Sequence, residues 1–228
     1  MKTYFPFIVL IFILCLFPSC NGQSNNTNKS NPNKQGTNQV LVGGPFENSD
    51  FMYIGMPENI NSIDTSAGWS QKGQKLLITG KIFKVDGKTP AADVILYYYH
   101  TNTEGYYENK PGLNNRVSRH GYIRGWVKSD KNGNYSIYTV RPGSYPNSDS
   151  PAHIHPSIKE PNSINEYYID EFVFDDDSLL TSSQRNKLEN RGGSGVLNVS
   201  NSGEMQIANH DIILGLNIPN YSARVKRE

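Results

Sequence analysis

The 228-residue sequence has almost no cysteine: Cys15 and Cys20 are the only two, and both fall within the first twenty residues. A domain built from the remainder has no thiol to pair, which excludes a disulfide framework and a thiolate zinc site there. Charge of one sign is lacking as well, with 22 Lys and Arg against 21 Asp and Glu. The basic residues are interspersed with acids, and the tyrosines lie in strand-like runs instead of alternating with basic residues, so nothing favours nucleic acid as a partner. A long apolar run is also missing. Residues 7–17 are apolar, but they fall short of the about 20 residues that a membrane-spanning helix needs. No internal repeat is visible.

That short run has instead the length of a signal-peptide core, and it follows the single positive charge of Lys2. Leu16-Phe17-Pro18-Ser19-Cys20 resembles, imperfectly, a bacterial lipobox. The expectation is a lipoprotein-type signal peptide over 1–19 and an exported chain held at the cell-envelope membrane by lipid on Cys20, facing the periplasm or the surface. Residues 21–40 are rich in Asn, Ser, Gln and Lys without apolar periodicity, as in a flexible tether. The expected divisions are a tether over 20–45, an irregular N-terminal extension over 46–73, a folded domain over 74–217 and a tail over 218–228.

Within the domain, short β-prone runs are bounded by Gly, Asn, Asp and Pro: 76–85, 93–99, 122–128, 135–140, 153–159 and 167–174, then 195–199, 204–208 and 212–216. Such spacing predicts an all-β fold, an antiparallel β-sandwich. Asp130-Lys131-Asn132-Gly133-Asn134 is its clearest hairpin turn, because Asn-Gly readily takes positive φ. One short helix is predicted over 181–191, capped by Thr181 or Ser182 and ended by Gly192-Gly193. Asp175-Asp176-Asp177 has the look of a calcium-type cluster but reads better as a strand-to-helix turn. Residues 80–140 alone also fit a metal-free sandwich module of the transthyretin-like or carboxypeptidase-regulatory-like kind.

The chemistry-bearing residues lie in the middle of the chain. Arg141-Pro142-Gly143-Ser144-Tyr145-Pro146 is followed by Pro151-Ala152-His153-Ile154-His155. Side chains two apart on a strand share a face, so His153 and His155 can offer two imidazoles to one metal while Ile154 faces the other way. Tyr145 arrives beside them on a Pro/Gly turn. Upstream, Gly105-Tyr106-Tyr107 supplies a second candidate phenol, Tyr107, although a shift of one residue would substitute Tyr106. Phenolate is a hard anionic donor suited to a trivalent ion, and imidazole suits iron among others, so ferric iron fits both halves. Two tyrosinates and a hydroxide would balance its charge.

These residues resemble the intradiol ring-cleavage dioxygenases, which include the catechol and protocatechuate dioxygenases. The resemblance runs over 76–177. It takes in Gly80-Lys81-Ile82, Asp86-Gly87-Lys88-Thr89-Pro90-Ala91, Thr101-Asn102, Gly105-Tyr106-Tyr107, Ser129 to Tyr135, the two central runs and Phe172-Val173-Phe174-Asp175-Asp176-Asp177. It implies a non-haem Fe(III) held by Tyr107, Tyr145, His153 and His155. It further implies a catechol-type substrate and O2 as partners, with ring cleavage between the two hydroxyl-bearing carbons to a muconate-type diacid. The displaced Tyr145 and solvent would take the two substrate protons, and Tyr107 completes the catalytic pair.

Two positions depart from the family pattern. The family's enzymes commonly carry Arg immediately before the Pro-Ala-His run, where this chain has Ser150; Arg119 or Arg124 are candidate replacements. A position occupied by Gln in some relatives is here Glu171. Both bear on substrate preference and rate more than on iron. Two other functions stay open: a non-catalytic exported sandwich module binding sugar or peptide, and a protein that captures ferric iron or phenolic ligands. His100, His120 and His210 have no partner spacing and read as satisfied or exposed histidines.

Overall fold

The computed structural model describes residues 41–46, 50–163 and 165–221. The expected leader, Cys20, the tether up to residue 40 and the end of the tail lie outside the described residues. The strands are β1 (Ile63–Thr65), β2 (Lys75–Phe83), β3 (Ile95–His100), β4 (Arg124–Lys128), β5 (Asn134–Val140), β6 (His153–Lys159), β7 (Tyr167–Tyr168) and β8 (Phe172–Phe174). A short helix, α1 (Ser182–Arg185), precedes β9 (Val196–Leu197), β10 (Val199–Ser202), β11 (Met205–Asn209) and β12 (Ile212–Ile213). No helix among the described residues is long and apolar enough to cross a membrane.

Alternation sets the architecture. In β2 the buried positions include Leu76, Ile78 and Ile82, the inward face of a strand with period two. They meet Ile137 of β5 and, from the opposing sheet, Leu96, Tyr98, Val127, Ile154 and Phe172 in one core. Each fully buried aliphatic side chain contributes about 1.5–3 kcal/mol. The first sheet runs β1-β5-β2-β11-β10 with β12 also on β2; the second runs β4-β3-β6-β8-β9 with β7 also on β6.

The expected β-sandwich is therefore present, but its sheets are mixed and not purely antiparallel. β1 pairs with β5, β11 and β12 with β2, and β8 with β9 in parallel. Strands β2 and β11 are separated in sequence by the whole second sheet, so the chain crosses over before it returns, which permits parallel pairing. The run expected as one strand over 167–174 is interrupted: its pairing with β6 shifts by one residue between Tyr168 and Phe172, and there the Asp170 N–H donates to the Arg191 carbonyl while its carboxylate accepts the N–H groups of Asn190 and Arg191. The predicted helix over 181–191 shrinks to four residues. Thr181 caps it as expected, accepting from Gln184 N at 3.3 Å, but the helix buries no side chain, and a short helix without a docked face does not propagate.

The N-terminal extension is not wholly irregular, since it contributes β1. Residues 41–45, expected in the tether, lie against the domain: Val42 N donates to Asn165 Oδ1, and Gly43 N to the Pro219 carbonyl at 2.7 Å.

Candidate functional site

Strand β6 lies centrally in its sheet, between β3 and β8. Ile154 is fully buried in the sandwich core, so His153 and His155 point to the outer face. The β3–β6 register places Tyr99 opposite His155, and their rings stack at 4.6 Å. This face is roofed by a second apolar cluster in which Met52 packs on Tyr97 and Tyr99, joined by Tyr107 and Trp126. The extension thus has a definite task. Trp126 Nε1 donates to the Met52 carbonyl at 2.6 Å, and the Arg124 guanidinium donates to the carbonyls of Phe51 and Ile54.

Two loops bring in the tyrosines. Asn102 Oδ1 accepts the N–H groups of Glu104 at 3.0 Å and Tyr106 at 2.9 Å, curling the chain after β3. Its carbonyl accepts Gly143 N at 2.9 Å, and Thr101 Oγ1 donates to the Gly143 carbonyl at 2.8 Å, which ties this loop to the one bearing Tyr145. The approach is so close that only glycine fits. A Cβ on Gly105, itself at φ +84°, would lie 1.9 Å from the Ser144 carbonyl oxygen, and one on Gly143 would lie 2.4 Å from that of Thr103. Tyr106 is 55% exposed, whereas Tyr107 turns inward.

Below these loops Arg141 makes a bidentate pair with Asp176 at 2.6 and 2.8 Å and lies over the Phe174 ring. Asp177 accepts Ala152 N at 2.8 Å, and Asp175 accepts Val199 N. The acidic run is a clamp on the Pro-Ala-His segment.

Four polar atoms converge. The Tyr107 and Tyr145 hydroxyls are 2.6 Å apart, His155 Nε2 lies 2.8 Å from the first and 3.3 Å from the second, and His153 Nε2 lies 3.0 Å from Tyr145. On the far side of each ring, His153 Nδ1 donates to the Pro151 carbonyl at 2.7 Å, and His155 Nδ1 lies 2.9 Å from Glu171 Oε1. Burial raises the pKa of Tyr107 well above the usual phenol range, with its hydrogen bond to Tyr145 adding to the rise. Burial raises Tyr145 also, while the bond from Tyr107 pulls the other way. Burial lowers His153, as does the neighbouring His155. Burial, the largest single influence, works against the Glu171 carboxylate, but the His155 hydrogen bond and the electrostatic attraction of His155 and His153 together outweigh it and its pKa is lowered. Without metal the site holds neutral phenols, and a cation entering it must displace their protons.

Beside the four residues opens a cleft of about 340 Å³, lined by Tyr145, Ser150, His153, His155, Glu171 and Lys187, with Val173, Leu180 and Leu188 as apolar wall. Tyr107 is behind it. Neither candidate arginine reaches this lining: Arg124 is engaged with the extension and the Tyr97 hydroxyl, and Arg119 covers the Phe51 ring. The cleft's one cationic lining residue is Lys187.

The stack behind His155 has no local signal in the sequence. His120 lies flat on Tyr99 at 3.7 Å, and its Nδ1 bonds the Tyr97 hydroxyl at 2.8 Å. Its Nε2 is buried without a hydrogen-bond partner among the described residues. His100, by contrast, is satisfied as expected, through the Thr101 carbonyl and the Thr139 hydroxyl. Tyr98 belongs to the core, and Tyr97 and Tyr99 to the outer cluster.

The donor set suits a hard trivalent ion. Four contacts of 2.6–3.3 Å link the two phenol oxygens and the two imidazole nitrogens, and both rings are tied back at Nδ1 so that Nε2 faces the phenols.

Residues 49–188 match a family model described as Dioxygenase. Catechol 1,2-dioxygenase from Acinetobacter baylyi is 28% identical over 95 residues, which is 41% of this chain and only 30% of that relative's length. The dioxygenase domain of a dioxygenase carbohydrate-binding protein fusion from Streptomyces sp. SirexAA-E shares the fold with a TM-score of 0.52 at 18% identity, over 77% of this chain and 96% of that one. A variant of the catechol 1,2 dioxygenase of Acinetobacter radioresistens gives 0.52 at 16% identity, over 69% and 57%.

Proposed function

The chain belongs to the intradiol ring-cleavage dioxygenase family, and on that premise we propose that it cleaves a catechol-type diol between its two hydroxyl-bearing carbons, using O2 and a non-haem Fe(III) held by Tyr107, Tyr145, His153 and His155. The observation that carries this reading is the convergence of two phenols and two imidazoles on one point at the wall of a cleft. When bound, the ferric ion supplies a Lewis acid and electron sink for the diol and O2.

The chain's own residues divide the remaining work. Tyr145 lines the cleft while Tyr107 stands behind it, so Tyr145 is the phenol that an incoming diol reaches and the base that takes one of its protons. His153 and His155, fixed at Nδ1, keep their Nε2 atoms in place during that exchange. Val173, Leu180 and Leu188 pack an aromatic ring and exclude water. The volume stands near the lower end of the 300–1,000 Å³ usual for ligand clefts and suits a single-ring diol.

The test begins with colour. Purified protein loaded with ferric iron absorbs visible light by tyrosinate-to-iron charge transfer, and Tyr145→Phe shifts the band. It consumes O2 with catechol, hydroxyquinol or protocatechuate, and both atoms of 18O2 enter the diacid. Protein that stays colourless with iron overturns the reading. One observation favours a second reading, capture without turnover: Ser150 lines the cleft where relatives commonly place Arg. A coloured protein whose band shifts with diols but which consumes no O2 with any of them is that capture protein. The same reading keeps the chain at the cell envelope through lipid on Cys20, checked by the mass of the N-terminal peptide from membranes.

A further inference from the structure

The two imidazoles of the site are held differently. His153 Nδ1 donates to the Pro151 carbonyl, a neutral acceptor, at 2.7 Å, whereas His155 Nδ1 lies 2.9 Å from a carboxylate, Glu171 Oε1. A carbonyl or carboxylate can only accept, so each contact places a proton on Nδ1 and leaves the Nε2 lone pair facing the phenols. The carboxylate also transfers negative character through the ring.

Glu171 could be mistaken for a metal ligand, since its oxygen lies within 4.8 Å of ring nitrogens of both histidines. Its contact is with the wrong side of the His155 ring for that. The four converging atoms are the two hydroxyls and the two Nε2 atoms, while Glu171 stands behind at Nδ1. Its position is fixed by the interruption between β7 and β8, where Asp170 turns aside to the N–H groups of Asn190 and Arg191.

Resting on the proposed ferric site, we infer that Glu171 is a positioning residue. It sets the tautomer and orientation of His155 and makes that imidazole the more electron-rich of the two, adding a third built-in negative charge to those of two tyrosinates. The metal charge is then matched by the chain itself. A carboxylate behind a ligating histidine raises its basicity, and loss of such a partner typically costs 10–100-fold in metal affinity.

The experiment compares wild type, Glu171→Gln and Glu171→Leu as full chains. Ferric affinity is measured by competition with a chelator, the visible band is recorded, and thermal melting confirms that the half-exposed substitution leaves the fold intact. Glu171→Gln keeps an acceptor and removes the charge. Its band is expected at longer wavelength, because a less electron-rich iron is a better acceptor, with affinity about tenfold lower. Glu171→Leu removes both and is expected to lose about 100-fold. Nitrogen-15 NMR of the metal-free chain at mildly alkaline pH is expected to show His155 with its proton on Nδ1 in wild type and mixed tautomers in Glu171→Leu.

If wild type binds iron with the charge-transfer band and both variants keep band and affinity, the inference fails while the ferric site stands. An unmoved band in Glu171→Gln together with lost affinity in Glu171→Leu also overturns it, since orientation alone then suffices. A wild type that takes no iron overturns the ferric reading, and this inference with it.

Discussion

On the inner face of β6, Ile154 and Ile158 pack among Leu96, Tyr98 and Phe172, and nothing about them requires a chemistry beyond shape and apolarity. On its outer face, one residue away in either direction, His153 and His155 are covered by loops and rings whose polar atoms converge. The inner face closes by pressing two sheets together; the outer one closes only because the extension, the two tyrosine loops and the Glu171 turn each contribute a piece. The same strand therefore separates what holds the fold from what would hold a metal, and substitutions on its two faces should fail in different ways.

The largest expected effect comes from the outer face. His153→Ala or His155→Ala should lower ferric affinity by more than the 100-fold that loss of an outer partner costs, while metal-free stability in urea changes by about 1 kcal/mol. Ile154→Ala should do the reverse, costing about 2–5 kcal/mol in the same urea experiment and leaving the visible band per folded molecule unchanged. A bleached band in folded Ile154→Ala would break the separation. Acid comes next. Burial lowers His100 and His210 from 6.5 to about 4. The unfolded chain binds more protons between those values, so stability is full above about 6.5 and is lost as pH falls toward 4, by about 3 kcal/mol for each histidine. Urea midpoints across that range in metal-free protein check it, and a flat profile would contradict the buried neutral state. The smallest effect is expected from Tyr106→Phe: stability within about 0.5 kcal/mol and an unmoved band, against the loss expected of Tyr107→Phe. A shifted band there would exchange the roles of the two adjacent tyrosines.

How much of this the sequence discloses depends on the range of the interaction. Strand β6 has the same bounds in both readings, 153–159, because period-two patterning and a preceding Pro-Ala are local signals. The meeting of Tyr107, Tyr145, His153 and His155 was legible through a resemblance to a family, and the structure brings all four together. The parallel pairing of β2 with β11 was not, since sheet order follows from crossovers that no short window contains. The Tyr99 and His120 stack needs the β3–β6 register and a loop fold at once. Glu171 was visible as a departure, but its placement against His155 Nδ1 rests on the break after β7, where the pairing with β6 shifts by one residue. The over-long helix had a good cap and a good stop; what it lacked was an apolar face to dock.

The backbone contact between Gly105 and Ser144, mirrored by Gly143 against Thr103, bears on how this protein can change. Loops that meet without side chains between them cannot lengthen or shift independently: an insertion in one must be answered in the other, or both phenols move. Widening of the cleft should therefore leave these two loops alone and work on Leu180 and Leu188, whose side chains line it from the flanks of the surface helix.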